Sequence, residues 1–275
     1  MVKRILFIFI LLVSTFSFSQ LSKNHYIPPI SSGPSNADPL DQLMYISTPS
    51  QGDVNFTINI VGGNSISGTV SNATPYVYGI ADSGYSSFVQ DPATTSRVTS
   101  DKGYIINADS PIYVSIRLNA GNNAQAGALV SKGENALGTT FRIGTYDNQG
   151  NPGSNYLNFF SFMATEDNTT VNLTNERVTS GLQIQNAGAQ QFPINNISLN
   201  RGQTYVVAVK PEDTNENRAG LIGTLVSSDK PIVVNSGSAN GSFGNGGARD
   251  YGIDQIVELS KVGKEYIFVK GDGDN

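Results

Sequence analysis

The sequence predicts an all-β protein of two tandem, repeated antiparallel β-sandwich-like units, the second incomplete. One observation behind this is a duplication: Gly103, Ile105, Ile106, Asp109, Pro111, Ile112 and Val114 recur as Gly223, Leu225, Val226, Asp229, Pro231, Ile232 and Val234, all at an offset of 120. Another is a series of short β-branched and aromatic runs, alternating cleanly in Phe56–Ile60 and Thr204–Val209, as strands with one buried face do. The last is that apolar residues nowhere hold a helical period for about a dozen positions. A β-propeller is the alternative, but its blades repeat every ~40–50 residues, less than half this spacing.

Residues 1–19 pair Lys3 and Arg4 with an apolar run from Ile5 to Val13 and end in Ser17-Phe-Ser19, which reads as a secretory signal peptide cleaved before Gln20. The run falls short of the ~20 residues a membrane-spanning helix needs. Residues 20–48 hold Pro28-Pro29, Gly33-Pro34 and Asp38-Pro39, so they read as a Pro-rich arm leading to a short strand, Gln42–Ser47.

The first unit, 49–165, carries strand patterns at 54–61, 75–80, 104–106, 112–118, 140–145 and 157–164. The second, 166–275, carries them at 169–174, 181–185, 204–209, 221–226, 232–235 and 265–270. Gly62-Gly-Asn64, Asp147-Asn-Gln-Gly150 and Asn200-Arg-Gly202 mark turns. Residues 124–132 and 252–261 are the best helical candidates, both short.

The duplication extends outward. Asn55, Thr57, Ile58 and Asn59 fall on Asn168, Thr170, Val171 and Asn172 at an offset of 113, and Leu137, Gly138 and Phe141 on Val262, Gly263 and Tyr266 at 125. The offset changes only across polar, Gly-rich stretches, as loops of unequal length would require. The first unit runs on into Asn158–Ala164, whereas the second reaches Asn275 before such a strand, so it reads as truncated and the chain as a fragment with further C-terminal domains missing.

Composition narrows the function. Loss of Lys3 and Arg4 leaves 15 basic against 22 acidic side chains, a net charge of −7 that argues against a nucleic-acid partner. With no cysteine there are no disulfides, thiol chemistry or Cys-ligated metal sites. About 250 mature residues suffice to build a core without such staples.

Ala164-Thr-Glu-Asp-Asn-Thr-Thr-Val171, Leu199-Asn-Arg-Gly-Gln-Thr-Tyr205 and Gly223–Gly237, followed by Asp254-Gln255 and Val262-Gly-Lys-Glu-Tyr266, resemble the amino-terminal region of IgGFc-binding proteins across roughly residues 100–275. His25-Tyr-Ile-Pro-Pro29 and Tyr45-Ile-Ser-Thr-Pro49 look like the start of long secreted proteins of Bacteroidota, which often carry a gliding-motility-associated type IX sorting domain at the carboxyl end. The resemblance implies secretion, exposure at the cell surface and adhesive binding.

Each candidate site has a plainer structural reading. His25 is the sole histidine, and a Ser-His-Asp triad would have to use it, yet it lies in the arm. Asp82-Ser83-Gly84 resembles a protease nucleophile loop but reads as a turn. Glu166-Asp167 and Glu212-Asp213 are the conspicuous carboxylate pairs for glycoside hydrolysis, but adjacent residues on a strand point to opposite faces. Asp272 and Asp274 could begin a calcium loop, with a tight turn as the simpler reading; no other cofactor is expected. Residues 117–127 and 235–247 are Gly- and Asn-rich and follow the duplicated strand, so Asn122, Asn123, Asn240, Phe243 and Arg249 are the loop residues expected to meet a ligand. The favoured reading is a secreted, non-enzymatic binding or adhesion region recognising an extracellular protein or glycan. A carboxylate-dependent carbohydrate-active enzyme is the first alternative, against which stands the lack of tryptophan, although 12 tyrosines could substitute. A spacer in a longer surface protein is the second.

Overall fold

A computed structural model describes residues 20–32, 39–120, 126–148, 157–178, 181–188, 191–241 and 250–263. Along the first part of the chain run β1 (Ser22–Ile27), β2 (Ile30–Ser31), β3 (Pro39–Ser47), β4 (Val54–Ile60), β5 (Ser65–Val70), β6 (Tyr76–Ala81), β7 (Val89–Gln90), β8 (Val98–Thr99), β9 (Tyr104–Ala120) and β10 (Gly127–Val130). The second part holds β11 (Gly138–Arg142), β12 (Asn158–Ala164), β13 (Thr169–Thr174), β14 (Ile194–Leu199), β15 (Thr204–Val209), the short helix α1 (Asn215–Ala219), β16 (Leu225–Gly241) and β17 (Asp250–Ile256).

Two curled antiparallel sheets carry the fold, and their strand orders match. The first is β5-β4-β9-β3-β6, with β1 and β10 also on β9; the second is β14-β13-β16-β12-β15-β8, with β11 and β17 also on β16. The duplicated segment is the long central strand in each. Its first half lies between β4 and β1 in the first unit, and its second half between β3 and β10. In the second unit β13 and β11 flank the first half, and β12 and β17 the second. Partners change around Pro111 and Pro231, where the missing amide interrupts the ladder. At both places a threonine closes the gap: Thr48 Oγ1 donates to Pro111 O at 3.0 Å, and Thr165 Oγ1 to Pro231 O at 2.6 Å.

The bent strand thus belongs to both layers of a sandwich. Phe56 on β4 meets Tyr76 on β6 edge-on at 4.9 Å, and Tyr78 meets Tyr104 at 6.3 Å, so the layers touch across the first core. Around them lie Ile27, Met44, Ile46, Ile58, Ile106 and Val114. The second core gathers Phe141, Phe160, Phe162, Val171, Val226 and Val234.

The pairing redraws the boundary between units. Asn158–Ala164 is the counterpart of Pro39–Ser47, since β12 lies between β16 and β15 as β3 lies between β9 and β6. It is therefore an early strand of the second unit rather than the last of the first, and the divide falls between β10 and β11 instead of at 165/166. The expected Pro-rich arm also belongs to the fold: β1 pairs with β9, and His25 within it is fully buried. Both helical candidates contain strands, β10 and β17, because each lies against the second half of a central strand whose ladder satisfies its backbone.

β12 and β15 are buried along their whole length. Phe160, Phe162, Tyr205 and Val207 point into their own core, whereas Phe159, Val206 and Ala208 point the other way, into the first unit's core. Strand alternation requires such a double face only when both sides are covered. The cover is the segment 28–32 with Phe88 and Val89, which joins β2 to β7 in a parallel pair.

Candidate binding surfaces

The described residues that follow the two Gly- and Asn-rich stretches lie side by side. Across the loop exits, Ala126 N donates to Asp250 Oδ1 at 2.8 Å and Tyr251 N donates to Ala126 O at 2.9 Å. The ends of the two Gly- and Asn-rich stretches are thereby fastened together, although they lie 124 positions apart in sequence. Asn122, Asn123, Phe243 and Arg249 lie outside the described residues, as do Asp272 and Asp274. Asn240 is not in a loop: it lies near the end of β16, 2% exposed, and its Oδ1 has no partner among the described residues.

Shallow grooves mark each unit. One of about 480 Å³ crosses the outer face of β5, β4 and β9, lined by Asn55, Thr57, Ser67, Thr69, Asn107 and Asp109. Its polar groups satisfy one another: Asn55 Nδ2 donates to Asp109 Oδ2 at 2.7 Å, Asn59 Nδ2 to Asn107 Oδ1 at 3.2 Å, and Asn107 Nδ2 to Asn24 Oδ1 at 2.8 Å. The other, of about 450 Å³, lies between the segment 144–146 and the β16–β17 pair, and its lining includes Tyr146, Ser236, Gly252 and Asp254. Tyr146 is seated on bare glycine backbone, since a Cβ on Gly241 or Gly252 would collide with its ring. Burial and the neighbouring Asp250 charge raise its phenol above the ordinary value. Asp254 is held by Lys132 in an ion pair of 2.7 Å.

A buried polar seam joins the units beneath the loop edge. His25 Nε2 lies 3.2 and 3.1 Å from the carbonyls of Ser22 and Ile112, so it carries the ring proton, and Nδ1 accepts from Ser131 Oγ at 2.9 Å. Burial lowers the His25 pKa from 6.5. Beside it, Gln255 accepts from Lys132 N at 2.7 Å and donates to Tyr26 O at 2.9 Å, while Asn235 donates to Pro28 O at 2.8 Å and Ser161 to Pro29 O. Each side-chain amide holds backbone of the first unit against the second.

The family model described as IgGFc binding protein matches residues 126–275, more than half of the chain. The chain belongs to the IgGFc binding protein family. No curated protein and no solved structure matches it. In this family member the matched part begins just before β10 and takes in all of the second unit.

The other candidates of this IgGFc-binding family member sit in structural roles. His25 is locked in the seam, its ring bonded to the Ser131 hydroxyl and to the Ser22 and Ile112 carbonyls and, among the described residues, to no carboxylate. Asp82-Ser83-Gly84 is a turn in which Asp82 O accepts from Asp41 N at 3.1 Å and Gly84 O from Gln42 Nε2 at 2.6 Å. Glu166 and Asp167 are exposed at the turn before β13, where Asp167 accepts from Arg201 N at 2.9 Å. Glu212 and Asp213 are exposed too, Asp213 accepting from Gln185 Nε2 at 3.1 Å. Among the described residues no helix is long and apolar enough to cross a membrane. Sequence reasoning missed the groove at Tyr146; its signal was the change from Ile116 and Leu118 to Ser236 and Ser238 at the constant offset of 120.

Proposed function

We propose that this chain is a secreted, non-enzymatic binding region of a bacterial cell-surface protein, recognising an extracellular protein or glycan with the edge where the loops after β9 and β16 emerge. The fastening of Ala126 to Asp250 and Tyr251 supports this reading, because it holds together the residues at which the two separated Gly- and Asn-rich stretches end. The family supports it, being named for binding. Residues 1–19 support secretion by their signal-peptide pattern, and the likeness of the first 49 residues to secreted Bacteroidota proteins supports a surface location and type IX export.

The test is an array of extracellular proteins, immunoglobulin Fc included, and of glycans, probed with residues 20–275. A second sample carries Gly-Ser sequences of equal length in place of 121–125 and 242–249. Binding that disappears in the second sample at an unchanged melting temperature supports the reading. Equal binding by both samples overturns it.

A further inference from the structure

The two units treat the same sheet edge differently. In the second, chain from both units takes up the free side of β15: Thr99 and Val98 of β8 pair with Thr204 and Tyr205, Ser96 N donates to Val206 O at 2.8 Å, and Gln185 N to Ala208 O at 2.8 Å. The counterpart of β15 in the first unit is β6, where Val77 and Gly79 take the places of Val206 and Ala208. Among the described residues β6 pairs with β3 alone, and no described backbone group bonds its other side. Free edges in soluble proteins are ordinarily guarded by charges, prolines or bulges. At the other end of this sheet β5 turns Ser65, Ser67 and Thr69 to solvent, and β14, an edge of the second sheet, carries Asn195 and Asn196 with a bulge in its pairing. β6 lacks such guards. Residues 73–81 carry no charge, the nearest proline, Pro75, precedes the strand, and the bulge against β3 lies at the far end by Ala81. Val77 is 49% exposed, and a Cβ on Gly79 would meet nothing within 4 Å.

We propose that β6 joins two copies of the chain: the strands pair antiparallel, Tyr78 opposite Tyr78, and continue one sheet across a two-fold axis. The inference goes beyond the binding reading above and does not depend on it. In an antiparallel pair, residues directly opposite one another share a face, and their backbone groups point alike. This register sets Tyr76 opposite Ile80 and Val77 opposite Gly79, so each exposed valine lies over the bare backbone of the other copy's glycine. The two-fold axis makes that fit twice, which favours a second copy over an unrelated strand. No like charges meet, since Asp82, the nearest charge beyond the strand, falls opposite Thr74. A two-fold contact is isologous, so it closes at two copies and does not grow into a fibre. Pairing through one strand of 6 residues is at the small end of specific interfaces, so an affinity in the micromolar range is expected.

Val77 and Gly79 supply the test, because both are exposed and Gly79 has no positive φ, so side chains exchanged there leave the fold intact. Analytical ultracentrifugation of residues 20–275 from about 1 µM to about 1 mM should show a monomer–dimer equilibrium. The double variant Val77→Lys with Gly79→Lys sets lysine opposite lysine at both ends of the register and should weaken the dimer about tenfold or more. Val77→Glu with Gly79→Glu should do the same with carboxylates. Mixing the two double variants should restore dimers, each now holding one copy of either kind. Should a double variant melt well below wild type, cross-linking decides. The chain has no cysteine, so an equimolar mixture of Val77→Cys and Gly79→Cys should oxidise to a mixed dimer faster than either alone. A wild-type chain that stays monomeric up to about 1 mM overturns the proposal and leaves the edge to a strand of another protein. A dimer that both double variants keep at wild-type affinity, or that mixing them fails to restore, overturns it as well.

Discussion

Acidifying the protein from about pH 8 to about pH 5.5 is expected to weaken it through one side chain. His25 is the only histidine, and its folded-state pKa lies below 6.5 because its ring is buried. Above pH 6.5 both folded and unfolded chains hold it neutral. Below that value the unfolded chain takes up a proton that the folded chain refuses, so stability falls with pH until the lowered folded-state pKa is passed. While the two states differ by a full proton, the slope is about 1.4 kcal/mol per pH unit. Ordinary carboxylates titrate near pH 4 and contribute little in this window. The assay is urea unfolding of residues 20–275 at steps of half a pH unit, beside His25→Phe. Phenylalanine is chosen because Phe141 occupies the matching place in β11, where it pairs with Val226 as His25 pairs with Ile106. His25→Phe loses the bonds to Ser131, Ser22 and Ile112, so it should be less stable by about 1–3 kcal/mol at pH 8, yet flat down to pH 5.5. A wild-type profile without slope, or an equal slope in His25→Phe, would refute the reasoning.

Gly103 has φ of +99°, and a Cβ there would lie 2.7 Å from Ile27 O and closer still to Met163 Cε. Gly103→Ala should therefore lose about 2–4 kcal/mol in chemical denaturation, and a loss below 1 kcal/mol would show that the contact between units yields easily. Asn235→Ala removes the donor that holds Pro28 O and should cost about 1–3 kcal/mol, read as a fall of several degrees in melting temperature. Phe159→Ala should cost about 3–5 kcal/mol, whereas Val77→Ala, at the matched sheet face of the first unit but 49% exposed, should change stability by less than about 1 kcal/mol. Similar losses at the two positions would contradict the one-sided cover of the second unit.

The central strands were legible because their duplication kept both spacing and chemistry, down to Pro111 and Pro231. The neighbouring register was not. Asn55 and Asn168 look equivalent at an offset of 113, but pairing matches Thr57, opposite Asn107, with Asn172, opposite Ser227. That is a slip of two residues, which leaves every side chain on its own face and so escapes any argument from alternation. Asn168 itself has φ of +54° and sits in the turn. Asn158–Ala164 was assigned to the wrong unit because its counterpart, Pro39–Ser47, shares no residue pattern with it: one is covered on a single face and the other on both. β1 was hidden by the prolines that follow it, although those prolines form the cover of the second unit. The groove could not be seen as such, because serine at an inward strand position reads simply as weaker amphipathicity until the fold shows which face it occupies.

Which residues a unit carries on its outer sheet face depends on whether another unit lies over it. Pairing matches Leu43, Gly79, Tyr45 and Val77 in the first unit with Phe159, Ala208, Ser161 and Val206 in the second. The second set is buried beneath the first unit, and Ser161, Asn235 and Gln255 grip the backbone of residues 26–29. In the first unit the gripping places are taken by Tyr45, Ser115 and Val130, and Arg117 lies over the Tyr45 ring at 5.4 Å, a charged cap on a half-exposed face. The family match starts at residue 126, whereas the cover consists of residues 28–32, 88 and 89. The part of the chain recognisable as family therefore depends, for burial of Phe159, Val206 and Ala208, on a part that lies outside the match.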